Sequence, residues 1–320
     1  MLAALIVAAC APVVAPPAPA PTAVIGDRFR EERRAVLDAL NLARARAGVV
    51  ALAYDSTLEH IGDRHCRELI ADGCVGHFAT DGVPPYLGTV LAGHPGYHRQ
   101  NVASHSHGLG LVPGQLNDII LSAVAEMMAE TPPNDGHRRA ILEPTATHVG
   151  IGLAVEGSEV RVTHELATVA TRSWQPPPVV TLPGTVVSLA GQLANPWQVA
   201  AVELLWEALP QPLTREEANR IRSYRYPPRR GMFFVGEGLP GLGSSGRLHT
   251  VHADRAGTFA FAWRTGPTPG VELAVVWAHH SGGERQLTAV ALGGTVVTVD
   301  GALPSALARR AALREPPAEE

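Results

Sequence analysis

Three consecutive prolines, in Trp174-Gln175-Pro176-Pro177-Pro178, constrain this chain more than any other feature, because neither a helix nor a central strand continues through them. The pattern differs on either side. Upstream, residues 27–48 carry Phe29, Val36, Leu37 and Leu40 at helical spacing, and residues 56–71 carry Leu58, Ile61 and Leu69 inward, with Asp55 or Ser56 as cap and Gly73 beyond the end. Residues 76–103 read as a loop with one helical piece at 84–91, and residues 115–130 as a third helix stopped by Thr131-Pro132-Pro133. Two strands follow at 148–155 and 160–167, alternating through Val149, Ile151, Leu153 and Val155 and then Val160 and Val162, around a Glu156-Gly157-Ser158-Glu159 turn.

Downstream there are only short apolar alternations, at 185–190, 199–207, 257–263, 273–278 and 295–299, which suggest a β-sandwich. The chain is therefore expected to be α+β: helices before strands, then a smaller all-β sandwich. The boundaries expected are a signal and tether over 1–26, a first domain over 27–172, a Pro-rich linker over 173–180, a sandwich over 181–300 and a flexible tail over 301–320. Its 320 residues, 46% of them apolar and 18% charged, suffice for two packed cores. A formal charge of −4 leaves no basic surplus for phosphates, so no nucleic-acid partner is expected. All 26 basic side chains are arginine, but they are spread over helices, loops and tail and imply no polyanion site.

Asp27 is the first charged residue. The apolar run from Leu2 to Ala9 is too short to span a bilayer and reads as the core of a secretory signal. Val7-Ala8-Ala9-Cys10 resembles a bacterial lipobox, which would make Cys10 the lipidation site, with residues 11–24 and their five prolines as a stiff spacer. A plain cleaved signal is the alternative. Export would leave Cys66 and Cys74 either as a disulfide, if the chain reverses near Gly73, or as two buried thiols.

Ten of the 14 histidines fall between His60 and His164, a concentration of the one side chain that both titrates near neutrality and ligates metals. On the third helix, Glu130 lies in line with Leu116, Ile119, Ile120, Ala123 and Met127. It either faces water as a helix end or needs a partner, which His137 in Asn134-Asp135-Gly136-His137-Arg138-Arg139 could supply. His77 sits in a turn-rich loop, and His98 and His105-Ser106-His107 are weak signals alone.

Order and spacing make the set specific. Asn41 and Arg44, then Gly76-His77-Phe78 with Asp81-Gly82, then Gln100-Asn101-Val102-Ala103, then Met127 and Glu130 before His137-Arg138-Arg139-Ala140-Ile141-Leu142, then His148-Val149-Gly150-Ile151-Gly152 resemble the CAP superfamily, which groups cysteine-rich secretory, antigen-five and pathogenesis-related-one proteins. The chain is most similar to bacterial SCP-type members over residues 34–168. The resemblance implies an α-β-α sandwich with a cleft lined by His77, Gln100, Asn101, Glu130 and His137. It also implies that His77 and His137 could hold zinc or another divalent metal. Gln100 stands where the family has a glutamate, which removes one negative charge from that cleft.

The function expected from this resemblance together with the lipobox at Cys10 is an extracytoplasmic, lipid-anchored binding module for a lipid, glycan or protein in the envelope. The alternative is a metal-dependent hydrolase of peptides, esters or cell-wall material with Glu130 and His137 as catalytic candidates. In the second domain, Trp206 and Trp277 read as core, and the six arginines between Arg215 and Arg230, interleaved with Tyr224 and Tyr226, read as a solvated loop or a contact for anionic groups.

Overall fold

The computed structural model describes residues 29–106, 114–235, 249–280 and 286–312. The lipobox with Cys10, and His107, lie outside them. The helices of the first domain are α1 (Arg30–Arg46), α2 (Ser56–Asp72), α3 (Pro85–Leu91), α4 (Gln115–Ala129) and α5 (Gly136–Ile141). Its strands β1 (Ala53–Tyr54), β2 (Tyr97–Ser106), β3 (His148–Glu156) and β4 (Glu159–Thr168) form one sheet in the order β1-β3-β4-β2.

Alternation along β3 sorts the two faces. Val149, Ile151 and Leu153 point into a core with Val36 and Leu40 of α1, Ile120, Val124 and Met127 of α4 and Ile141 of α5. The intervening Gly150 and Gly152 carry α2 on the other face. A Cβ at Gly150 would lie 2.1 Å from the backbone of Glu59, and one at Gly152 would lie 2.2 Å from that of Gly62, so only glycine admits the helix this close. Helices thus cover both faces, giving an α-β-α sandwich. The expected loop over 76–103 contains most of β2, whose inward residues are polar.

Beyond β1, no strand among the described residues lies beside the outer edge of β3. A buried ion pair takes its place: Arg33 donates to both carboxylate oxygens of Asp63, at 2.9 and 3.0 Å, and to the carbonyl of Ile151, while the Leu153 N–H donates to Asp63 at 2.8 Å. Side chains complete the backbone pairing there.

The rest of the chain forms β5 (Thr171–Gln175), β6 (Val180–Thr181), β7 (Val186–Leu193), β8 (Trp197–Glu207), α6 (Arg215–Arg220), β9 (Arg229–Phe234), β10 (Val251–Ala253), β11 (Thr258–Arg264), β12 (Gly270–His280), β13 (Thr288–Val297) and α7 (Ser305–Ala311). Two sheets, β10-β11-β7-β5 and β6-β13-β12-β8-β9, enclose Leu189, Phe259, Phe261, Trp263, Val202 and Val276. Trp277 donates its indole N–H to Glu203 at 2.8 Å.

Two expectations need correction and one open alternative is resolved. Residues 173–180 are not a free linker, because β5 and β6 begin the sandwich on both sides of the prolines. The tail is not flexible throughout 301–320. In α7, Leu307 is buried and Arg310 pairs with Glu68 and Asp81, each at 2.8 Å. Cys66 and Cys74 are both free, buried thiols: Cys66 lies inside α2 with its Sγ 3.9 Å from the Thr163 hydroxyl, and Cys74 lies past the left-handed Gly73 cap with its Sγ 3.9 Å from the Asp72 carbonyl.

The two domains share a core. Every residue of α3 is buried, and Tyr86, Leu87, Val90 and Leu91 pack against Leu205, Val271, Leu273, Val275 and Leu292 of the five-stranded sheet and Leu307 of α7. A helix without a single charged residue is one that expects to be covered on all sides.

Candidate functional site

The side chains of the expected cleft converge at the edge formed by β2. Glu130 follows the last turn of α4, and its Oε2 accepts the backbone N–H groups of His137 at 2.9 Å and Arg138 at 3.3 Å, capping the short α5. Its Oε1 meets Nδ1 of His137 at 2.5 Å. Slight burial would raise the Glu130 pKa, but the hydrogen bonds and charge of His137 outweigh it and hold the carboxyl below its ordinary range. Asn101 fixes the same helix from β2, donating to the carbonyl of His137 at 3.1 Å. Arg44 braces its far end with hydrogen bonds to Ile141 and Glu143, at 2.6 and 2.9 Å. A planar fork suits this position, and the guanidinium is fully buried.

His77 lies opposite, its ring centroid 6.5 Å from that of His137. Its Nδ1 meets Gln100 Oε1 at 2.9 Å. Burial, reinforced by the neighbouring His137, keeps its pKa below the ordinary imidazole value despite the Gln100 contact. Behind Gln100 stands a residue that alternation did not single out. Glu165 of β4 is directly opposite Gln100 in the strand register and fully buried. It accepts from Gln100 Nε2 at 2.9 Å and from His98 Nε2 at 2.7 Å. Burial alone would push its pKa up, yet the His98 contact and the surrounding imidazoles and amide bring it below the usual carboxylate range. The cleft therefore has an acid behind each histidine, directly for His137 and through an amide for His77.

Both imidazoles thus use Nδ1 within the protein. Among the described residues no hydrogen bond engages Nε2 of His77 or His137. Ligating histidines ordinarily have this pattern, an outer partner on one nitrogen and a free lone pair on the other. Toward a divalent ion the cleft offers two imidazole donors, one fewer than the three protein ligands of an ordinary catalytic zinc site. No group of three or more metal-ligating side chains is assembled among the described residues, and Glu130 stands behind His137 rather than beside it as a ligand.

The second domain reaches this site. Between β8 and β9 the chain leaves the sandwich and crosses the first domain as a strap. Leu213 N–H donates to Thr80 at 2.8 Å, and Asn219 accepts from the Val75 N–H at 2.9 Å. A Cβ at Gly82 would lie 2.0 Å from the Gln211 carbonyl, so the glycine admits the crossing. Ala218 of α6 is buried with Leu69, Cys74 and Ala79. The strap then runs along the open edge of β2. Tyr226 accepts from the His98 N–H at 3.2 Å and donates to the His98 carbonyl at 2.9 Å, while Tyr224 accepts from the Gln100 N–H at 2.7 Å. Tyr226 stacks between Tyr86 and Tyr97, with centroids 4.6 and 4.8 Å away. The basic aromatic stretch is therefore no solvated loop where its tyrosines lie; they close the second edge of the sheet.

Residues 37–167 match the model of the cysteine-rich secretory protein family, abbreviated CAP. Among solved structures, the chain is similar to an extracellular SCP-domain protein from Bacillus anthracis strain Ames, at 15% identity over 42% of this chain and 40% of that one, with a TM-score of 0.34. An outer surface protein from Borrelia burgdorferi is similar at 14% identity over 44% of this chain and 96% of its own, with a TM-score of 0.34. The chain thus spans well under half of the first of these and nearly all of the second. No curated protein matches it.

Proposed function

With residues 37–167 a CAP domain, we propose that this protein is an extracytoplasmic binding module whose cleft is organised by His77, Gln100, Glu130 and His137. The observation that carries the reading is the pair of imidazoles, 6.5 Å apart, each held through Nδ1 with its other nitrogen unengaged. Two neighbouring imidazoles with an unengaged nitrogen each suit a divalent cation or the polar head of a ligand.

His77 and His137 would hold the ion, Gln100 and Glu130 would orient them, and Asn101 and Arg44 would keep α5 in place. A bound divalent ion would contribute Lewis acidity. Binding takes precedence over cysteine-based hydrolysis because the two described thiols are poor nucleophiles. Burial pushes the Cys66 thiol well up, and Cys74 is raised by burial and by the nearby Asp72. A lipid, glycan or protein of the envelope is the class of partner proposed, with a lipid at Cys10 tethering the module to the membrane.

Zinc titration of the full chain by calorimetry tests the cleft. Heat is expected for the protein and its loss for His77→Ala and His137→Ala; negligible heat from the unaltered protein would end the metal reading. Vesicles, glycans and peptidoglycan fragments titrated against the full chain test the partner, and binding that is indifferent to both substitutions would move the ligand elsewhere. Palmitate labelling that persists in Cys10→Ser would remove the anchor.

A further inference from the structure

We propose that Glu165 is the acid of the His77 half of the cleft, a positioning residue that acts through Gln100 to keep the His77 proton on Nδ1 and the lone pair on Nε2. The inference rests on the cleft reading above but concerns a residue outside it.

The argument follows hydrogen atoms along a chain of four groups. Glu165 accepts at both oxygens, from His98 Nε2 at 2.7 Å and from Gln100 Nε2 at 2.9 Å. A carboxylate has nothing to donate, so the amide of Gln100 must turn its NH2 toward Glu165. Its carbonyl oxygen is then the atom left for His77, at 2.9 Å from Nδ1. A carbonyl oxygen only accepts, so Nδ1 carries the proton and Nε2 keeps the lone pair. One buried charge thereby fixes an amide orientation and an imidazole tautomer. Without it, Gln100 could rotate by half a turn, offer NH2 to Nδ1 and move the ring proton to Nε2.

The geometry favours a role in orientation over simple support. Gln100 and Glu165 are directly opposite across β2 and β4, where side chains on one face are nearest neighbours. Glu165 has no exposed surface, and a buried carboxylate needs its partners satisfied. Position 100 lacks a charge and position 165 supplies one. The negative charge stands one strand further from His77, with an amide between.

Nitrogen-15 histidine spectra of the full chain, recorded without metal at about pH 8, above the ordinary imidazole pKa of about 6.5, report the tautomer directly. His77 is expected as the single Nδ1–H form. Glu165→Gln should give a mixture, and the double exchange Gln100→Glu with Glu165→Gln should restore the single form, because Glu at position 100 accepts from both neighbours. If Glu165→Gln does not fold, Gln100→Met breaks the relay while leaving the His98 contact intact, and should also give a mixture. A single Nδ1–H form that persists in Glu165→Gln or Gln100→Met, or a double exchange that fails to restore it in a folded protein, overturns the proposal. Zinc affinity in the same proteins separates the two readings. A loss of about 10- to 100-fold in Glu165→Gln, recovered in the double exchange, supports both. A tautomer that follows Glu165 in a protein that binds no zinc upholds this inference while ending the metal reading.

Discussion

The ring of Tyr224 stands edge-on to that of His77, centroids 5.0 Å apart and planes at 72°, so a residue of the second domain covers one wall of the first domain's cleft. Its hydroxyl accepts from the backbone of Gln100, the same residue whose side chain orients His77. The occupant of that wall is part of the protein itself.

Removing this ring should uncover His77. Tyr224→Ala is expected to speed modification of His77 by diethylpyrocarbonate on the order of tenfold, the worth of a ring contact of about 1.4 kcal/mol. Tyr224→Phe keeps the ring and strands the Gln100 N–H. It should leave the modification rate nearly unchanged while costing about 1–3 kcal/mol in urea unfolding. Equal rates in all three proteins would mean that Tyr224 does not limit access.

The ion pair on the β3 edge should be among the most sensitive positions. Asp63→Ala leaves Arg33 buried opposite the Ile151 carbonyl with its main partner gone and the Leu153 N–H unpaired. A loss of about 3–5 kcal/mol is expected by chemical unfolding. A change below about 1 kcal/mol, the scale of a surface pair, would show that the edge can do without it.

Acid should weaken the fold through two sealed imidazoles. Burial lowers the pKa of His65 and His164 from 6.5 to about 4, and in both the ring nitrogens have no hydrogen-bond partner. As pH falls from about 6.5, the unfolded chain takes up protons that the folded protein refuses. Stability is full above that pH, declines toward pH 4 and levels off below it, by on the order of 3 kcal/mol per residue. His65→Met and His164→Met should each flatten the decline of the urea midpoint between about pH 7 and pH 4. An unaltered slope in both would locate the acid sensitivity in other groups.

The shared core predicts joint unfolding. Calorimetry of the full chain should give one transition. A chain ending at Gln175 should bind hydrophobic dye or aggregate, because Tyr86, Leu87, Val90 and Leu91 lose their cover. Two separated transitions, or a monomeric and dye-silent fragment, would show that the domains fold independently.

The sequence made some of this legible and hid the rest for physical reasons. α1, α2 and α4 follow the apolar spacings of Val36, Leu58 and Ile120, and the glycines beside Ile151 mark where α2 presses on the sheet. β2 escaped because its inward positions are His98 and Gln100, polar side chains that interrupt the alternation used to find strands. Glu165 escaped for the same reason: a buried carboxylate leaves no mark in an apolar pattern. Tyr224 and Tyr226 did show a strand-like spacing of two, but nothing local says which surface such a pair will meet. The uncharged α3 carried a readable sign of burial on all sides, and only its partner was out of reach.

One strand edge is completed by Arg33 and Asp63, the other by Tyr224 and Tyr226. Side chains are reversible caps in a way that a hydrogen-bonded strand is not. Lifting the strap would present a row of unpaired amides and carbonyls along β2, a template onto which an extended segment of another polypeptide can add by main-chain pairing alone. With Tyr224 and Tyr226 in place, the backbone groups of His98 and the Gln100 N–H are paired within the protein and withheld from such addition.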